Sequence, residues 1–363
     1  MHDRLVRREK GRYDYTLLTA LGLLIIMGLV LLYSTSTYNG EVKFHDAFYY
    51  LKKQVFATSL GIAAMFFVAE MDYHLWRHMA FLGYLIAILL SLAVMFVGEE
   101  YNGSKRWLSL GPFSFQPSEF AKVAVILFLA VIVTNNVKDM GKMRTMIKIM
   151  ASILPIVGLV GASNLSTAII ILGIGAVLVF VASPKYGQFI VMGALAAGFM
   201  TVFLALESYR LERLEIWRNP EKFEKGYQTL QGLYAIGSGG LFGRGLGASV
   251  QKLGFVPEAQ NDMIFSIVCE ELGLFGAGFL LILFLILIWR FFVIATHAKD
   301  LFGALIATGA MAHMMIQVIL NIAVVTNTIP NTGITLPFVS YGGTSVVFLL
   351  VEMGLVLSVS KMV

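Results

Sequence analysis

Cysteine is almost missing from this chain. Cys269 stands alone among 363 residues, which excludes an internal disulfide and any cysteine-based metal cluster. Charge is scarce as well: Asp, Glu, Lys and Arg make up 13% of the residues, against roughly 25% in a soluble domain. Hydrophobic residues reach 58% and the mean hydropathy is +0.80, so no soluble domain of useful size is expected. The basic residues are scattered among loops instead of forming a stripe, and the net charge is only +5. Nucleic acid is therefore not an expected partner. A cleavable leader is not expected either, because the first apolar run is too long for one and no small-residue cleavage site follows it.

What the chain does contain is apolar runs, each long enough to cross about 30 Å of hydrocarbon. Ten are read as spanning helices, near 15–34, 53–69, 78–98, 118–134, 146–162, 165–182, 188–206, 272–296, 302–325 and 344–360. The expected fold is an all-α polytopic membrane protein, a bundle of ten transmembrane helices, because helices satisfy their own backbone in lipid. Residues 1–14 form a tail, residues 15–363 a single transmembrane domain, and 207–271 a long loop between helices seven and eight. Short loops carry the orientation signal. Arg4, Arg7, Arg8, Lys10 and Arg12 in the tail, with Lys138, Lys142, Arg144 and Lys148 after helix four, put both termini in the cytoplasm. Parity then places the loops after the odd-numbered helices outside, and nearly every polar or glycine-rich constellation falls on that face.

One of these is NGSKRWLSLGPFSFQPSEFAK, Asn102 to Lys122. Its Asn-Gly and Gly-Pro pairs mark turns around a short alternating segment. Ser118 suits an N-cap and Glu119 the positive end of the helix dipole. Glu119 and Lys122 share a face, so a plain structural ion pair is one reading. Lys105, Arg106 and Lys122 together also suit a socket for an anion. Farther on, YRLERLEIWRNPEKFEKGYQ interleaves basic residues with glutamates, the pattern of a solvated, self-paired surface. Arg210 and Arg213 share a face close to the end of helix seven, within reach of a lipid headgroup.

The stretch with the most chemistry runs from Gly237 to Glu271, GSGGLFGRGLGASVQKLGFVPEAQNDMIFSIVCEE. Its glycines do not make a nucleotide loop, since no strand precedes them and no GK[ST] follows; close backbone approach or a re-entrant turn explains them. Glu270 and Glu271 are read as charges ahead of a helix starting at Leu272. Asp262 lies between Pro257 and the apolar run from Met263 to Cys269. That flank would desolvate its carboxyl and raise its basicity, whereas the bland reading pairs it with Lys252 or Arg244. Within the spans, His313, Gln317 and Asn321 recur every four residues. Counting 1.5 Å per residue puts His313 at the depth of Glu352, and an intramembrane carboxylate needs a partner. The two are expected to pair across helices nine and ten, structurally rather than catalytically.

An outward-facing site has no ATP, so a bond-forming enzyme there needs a donor that arrives activated. Cations at the lipid–water boundary stabilise a departing diphosphate, and a carboxylate deprotonates an acceptor hydroxyl. The physics reaches lipid-linked glycosyl transfer. A lipid flippase and a non-catalytic scaffold are competing readings; grouping of charge on one face favours the enzyme.

The chain resembles the SEDS family (shape, elongation, division and sporulation proteins, FtsW/RodA/SpoVE) over essentially its whole length. The residues that carry the likeness are NGSKRWLSLGPFSFQPSEFAK, YRLERLEIW, GYQTLQGLYAIGSGGLFGRGLGASVQKLGFVPEAQNDMIFSIVCEELGLFG and TGITLPFVSYGGTS. YR..R and GASVQK are more like the FtsW/SpoVE branch. The resemblance implies a peptidoglycan glycosyltransferase of the bacterial cytoplasmic membrane that polymerises lipid II, the undecaprenyl-pyrophosphate-linked disaccharide peptide. It implies a class B penicillin-binding protein and other division or elongation membrane proteins as partners. It makes Asp262 the essential carboxylate, as base or as ligand of a divalent cation (Mg or Mn). Arg106, Glu119 and Lys122 match positions tied to activity; Lys105, Arg210, Arg213 and Lys252 complete the expected substrate-binding set. Ser340, Tyr341, Gly342 and Gly343 match a motif read as structural. Two departures stand out: Gln260, Asn261 and Met263 replace the usual PEAHTDFIF residues, and Asn164 stands where an aspartate is expected.

Overall fold

The computed structural model describes residues 11–101, 104–110, 113–190, 193 and 215–363. Among them, nine helices are long and apolar enough to cross a membrane. They are α1 (Tyr15–Phe44), α2 (Tyr49–Glu70), α3 (His74–Val97), α4 (Pro117–Asn135), α5 (Met143–Ser163), α6 (Leu165–Ala182), α8 (Ile264–His297), α9 (Leu301–Val325) and α10 (Gly343–Ser360). A shorter helix, α7 (Tyr227–Gly239), lies in the long loop. The seventh expected span, 188–206, lies largely outside the described residues, as do Arg210 and Arg213.

Side-chain caps set several starts: Asp14 Oδ1 accepts from the Leu17 amide at 2.9 Å, and Asp300 Oδ1 from the Gly303 amide at 2.7 Å. Ser118 does not cap α4, contrary to expectation. Pro117 occupies the first helical position instead, where a missing N–H costs nothing. Nor does α1 stop near residue 34. It continues through Ser34–Thr37 to Phe44, where the Thr35 and Thr37 hydroxyls bond back to helix carbonyls, Thr35 to Leu32 at 3.2 Å and Thr37 to Tyr33 at 2.5 Å.

The bundle is not purely helical. The alternating segment forms a small antiparallel sheet, order β1 (Glu99–Tyr101), β2 (Ser104–Leu110), β3 (Phe113–Phe115). Trp107 pairs with Glu99, and Leu108 with Phe115. The sheet lays β2 beside the starts of α4 and the ends of α3 and α5. Burial ranks the helices: 72% of the α4 span is buried against 28% for α3 and α5. The centre is therefore α4, α9 and α10, the helices that carry Glu119, Lys122, His313, Gln317, Asn321 and Glu352.

Helix α8 departs most from expectation. It starts at Ile264, not at 272, and breaks at Gly273, whose φ of 66° and ψ of −167° are non-helical. The glycine-rich loop fills the break. The Gly240 and Leu241 carbonyls accept from the Leu274 and Phe275 amides at 3.0 and 3.1 Å. In return, the Arg244 and Gly245 amides each donate at 2.9 Å, to the Glu270 and Glu271 carbonyls. Backbone groups orphaned by the break are thus satisfied inside the protein, as an apolar surrounding requires. A side chain at 273 would put its Cβ 2.3 Å from the Gly243 nitrogen.

Candidate functional site

Glu270 and Glu271 do not stand ahead of a helix, contrary to expectation. Lying inside α8, at 1% and 0% exposure, they lock the loop that precedes it. Glu270 accepts from the Ser249 hydroxyl at 2.5 Å and from the Val250 and Gln251 amides at 3.2 and 3.3 Å. Glu271 takes the Ser34 hydroxyl and the Lys252 ammonium, both at 2.7 Å. Lys252 Nζ also donates to Ser34 Oγ at 2.9 Å and to the Gly247 carbonyl at 2.8 Å. All three of its donors are committed in a buried setting, and Glu271 is its ion-pair partner.

The loop so held ends at Asp262, immediately before α8. Its backbone is fixed from three sides. Asn321 of α9 donates to the Asp262 carbonyl at 2.8 Å and to the Ile334 carbonyl at 2.7 Å. Ser340 Oγ donates to the Asn261 carbonyl at 2.6 Å, and the Tyr341 amide to that of Gln260 at 2.9 Å. The SYGG segment is in turn gripped by Gln54 of α2, which accepts from the Gly342 amide at 3.1 Å. The preceding turn holds Glu258 at φ 54°, in the left-handed region, and bonds its carboxylate to the Asn261 amide group.

The Asp262 side chain is closely surrounded yet half-buried, keeping an opening to the surface. Gln228 of α7 approaches its Oδ1 at 3.4 Å. Desolvation, reinforced by the Glu258 carboxylate, pushes its pKa up to about 7. Its own and the Met263 amides oppose this, as does the Arg106 guanidinium. Arg106 therefore acts on Asp262 through its charge, while its own contacts lie in a neighbouring cleft. It projects from β2, donates from Nε to the Ser163 carbonyl at 3.0 Å, and lines a small cleft with Ser91, Ser118, Ser163 and Asn164. Lys105, its neighbour on the strand, is exposed, as the alternation of a strand dictates. Asn164 caps α6, its Oδ1 accepting from the Thr167 amide at 3.2 Å, a bond that an aspartate would also make.

Glu119 and Lys122 lie deeper. They pair at 2.9 Å, at 7% and 1% exposure. Lys122 Nζ also donates to Gln317 Oε1 at 3.1 Å, and the same oxygen meets His313 Nε2 at 2.8 Å. His313 Nδ1 meets Glu352 Oε2 at 2.7 Å, the expected pairing across the last two spans. A buried polar string thus runs Glu352–His313–Gln317–Lys122–Glu119. The residues not singled out beforehand are Gln228, Gln54 and Asn39, the last donating to Gln260 Oε1 at 2.8 Å. Gln54, 2% exposed within an apolar span, carried the available signal.

For a divalent cation the donors here are the carboxylates of Asp262 and Glu258. Among the described residues no group of three or more His, Cys, Asp or Glu surrounds a common point. Two carboxylates fit Mg or Mn provided that water and substrate phosphates fill the remaining positions.

The family model described as "Cell cycle protein" (FtsW/RodA/SpoVE) matches residues 15–363. Stage V sporulation protein E of Bacillus subtilis is 39% identical, over 97% of this chain and 98% of its own length. A "Probable peptidoglycan glycosyltransferase FtsW" of Geobacter sp. strain M18 is 35% identical over 98% of each chain. Among solved structures, a chain described under "Structural coordination of polymerization and crosslinking by a peptidoglycan synthase complex" superimposes with a TM-score of 0.81 at 28% identity, covering 96% of this chain and 98% of that one. The rod shape determining protein RodA of Thermus thermophilus gives a TM-score of 0.68 at 28% identity, covering 96% and 97%.

Proposed function

Because this chain belongs to the FtsW/RodA/SpoVE family of cell cycle proteins, we propose that it is a peptidoglycan glycosyltransferase that polymerises lipid II on the outer face of the bacterial cytoplasmic membrane. The observation that carries this reading is Asp262: a half-buried carboxylate with a pKa of about 7, within the field of the Arg106 charge, on a loop held by α9 and by the Ser340–Tyr341 segment. A general base works best when its pKa lies near the operating pH.

Asp262 takes the proton of the acceptor sugar's hydroxyl as that oxygen attacks the anomeric carbon of the donor. The bond from that carbon to the diphosphate breaks, and its electrons leave with the lipid diphosphate. Arg106 and the exposed Lys105 stabilise the departing charge, and Arg210 and Arg213 are assigned to the same headgroup. Lys122 contributes from beneath as a buried positive charge with Glu119 as its counterion. Lys252 is assigned to the frame of the site, because its donors are spent on Ser34, Gly247 and Glu271. Asp262 and Glu258 would hold a divalent cation, which would neutralise diphosphate oxygens. Similarity to a chain of a peptidoglycan synthase complex supports assembly with a cross-linking partner, here a class B penicillin-binding protein.

The test is polymerisation of lipid II by the purified full chain, with and without such a partner. Wild type forms glycan strands and Asp262→Ala forms none while still binding the partner. Strand formation by Asp262→Ala at the wild-type rate would refute the assignment.

A further inference from the structure

The polar string beneath the site fixes a proton. Gln317 Nε2 donates to the Thr335 carbonyl at 3.1 Å, and Lys122 Nζ donates to Gln317 Oε1 at 3.1 Å. Both bonds demand the same amide orientation, so Oε1 faces His313 Nε2 at 2.8 Å. An amide oxygen only accepts, and His313 Nε2 must therefore carry a hydrogen. Nδ1, at 2.7 Å from Glu352 Oε2, then shares one proton with that carboxyl. Whether the proton sits on Nδ1 or on Oε2, the pair is neutral overall and Nε2–H is retained.

The opposite tautomer would break two contacts together. With Nε2 bare, the Gln317 amide would turn over, aiming N–H groups at the Lys122 ammonium and its oxygen at the Thr335 carbonyl. Gly333, two residues before Thr335, lies beside the reacting carboxylate, since a Cβ there would lie 3.8 Å from Asp262 Oδ2, and Asn321 ties the Ile334 carbonyl to that of Asp262. The tautomer of one buried histidine is thus coupled to the seat of Asp262 and to the placement of Lys122.

Building on the assignment of Asp262 as the reacting base, we propose that Glu352 and His313 are positioning residues for glycosyl transfer: Glu352 holds His313 in the Nε2–H form, which orients Gln317 and, through it, Lys122 and the 333–335 segment. They touch no substrate. Their hydrogen bonding matters, and proton transport through them does not.

Two substitutions at one position separate these roles. Glu352→Gln keeps a donor for Nδ1 and so preserves the tautomer, whereas Glu352→Leu leaves Nδ1 without a fixed partner. In full-chain protein in lipid nanodiscs, Glu352→Gln should keep kcat within about threefold of wild type. Glu352→Leu should lower kcat at least about tenfold with little change in KM, as misplacement around a reacting group does. Equal loss in both variants, or full activity of Glu352→Leu, would overturn the proposal. The second readout is the 15N spectrum of labelled histidine, with His313→Gln identifying the His313 resonances. Protonated Nε2 is expected in wild type and Glu352→Gln, and a second population with bare Nε2 in Glu352→Leu. Bare Nε2 in the wild type would also overturn it. Since this readout needs no turnover, it decides the tautomer even where Asp262 proves not to be the base.

Discussion

The side-chain amide of Asn321 reaches from the middle of the bundle to donate to the backbone carbonyl of Asp262 at 2.8 Å, and its second hydrogen goes to the Ile334 carbonyl at 2.7 Å. One buried side chain therefore ties the candidate base to the segment beside it. Asn321→Leu would leave both carbonyls unpaired, at about 1–3 kcal/mol each. We expect a lower unfolding temperature, and a loss of lipid II polymerisation by about tenfold or more from a misplaced base. Thermal unfolding in detergent and a strand-length gel check both.

The raised pKa of Asp262 predicts a pH profile. As a base the residue works ionised, so polymerisation should rise with pH along a limb centred on about 7. Glu258→Gln removes a repulsion and should move that limb to lower pH; initial rates between pH 5 and 9 would show it.

Stability runs the other way with pH. The pKa of Asp262 is higher in the folded chain than its ordinary 3.8. Its protonated form therefore adds stability that is complete below about pH 4 and lost as pH rises to about 7. Asp262→Asn should flatten the dependence of unfolding temperature on pH across that window. An unchanged slope would count against a raised pKa.

Lys252 and Glu271 form a buried pair, at 2.7 Å. Lys252→Met leaves the Glu271 carboxylate buried without its cation, which should cost about 3–5 kcal/mol. Lys252→Met with Glu271→Gln should recover much of this loss. A raised KM for lipid II with unchanged unfolding would instead restore Lys252 to the substrate-binding set.

Gly273→Ala would force a Cβ to within 2.3 Å of the Gly243 nitrogen at a φ of 66°. The glycine-rich loop should then leave the break in α8 and become open to proteolysis. Limited digestion that cleaved wild type and variant alike would refute this.

Orientation has its own check. In intact cells, a membrane-impermeant maleimide should label Lys105→Cys and not Lys138→Cys, with the native Cys269 silent because it is buried. The reverse pattern would move the site to the cytoplasm.

Much of this protein is written locally in the chain. Hydrophobic runs set seven of the nine described spans to within about four residues, because a run of apolar side chains of that length has one stable home. The desolvation of the Asp262 carboxyl was legible from its apolar flank, and the pairing of His313 with Glu352 from depth alone, since a helix rises a fixed 1.5 Å per residue. Depth and face are properties of one helix at a time. Which helix stands beside which is not, and every contact that seats Asp262 depends on it: Asn321 lies 59 positions away, Ser340 reaches Asn261 across 79, and Glu271 meets Ser34 across 237. The same limit hid the break at Gly273, where two adjacent glutamates read as the start of a helix. Packing alone showed that they hold its loop in place, for a buried carboxylate must take its partners from whichever segment the fold brings near.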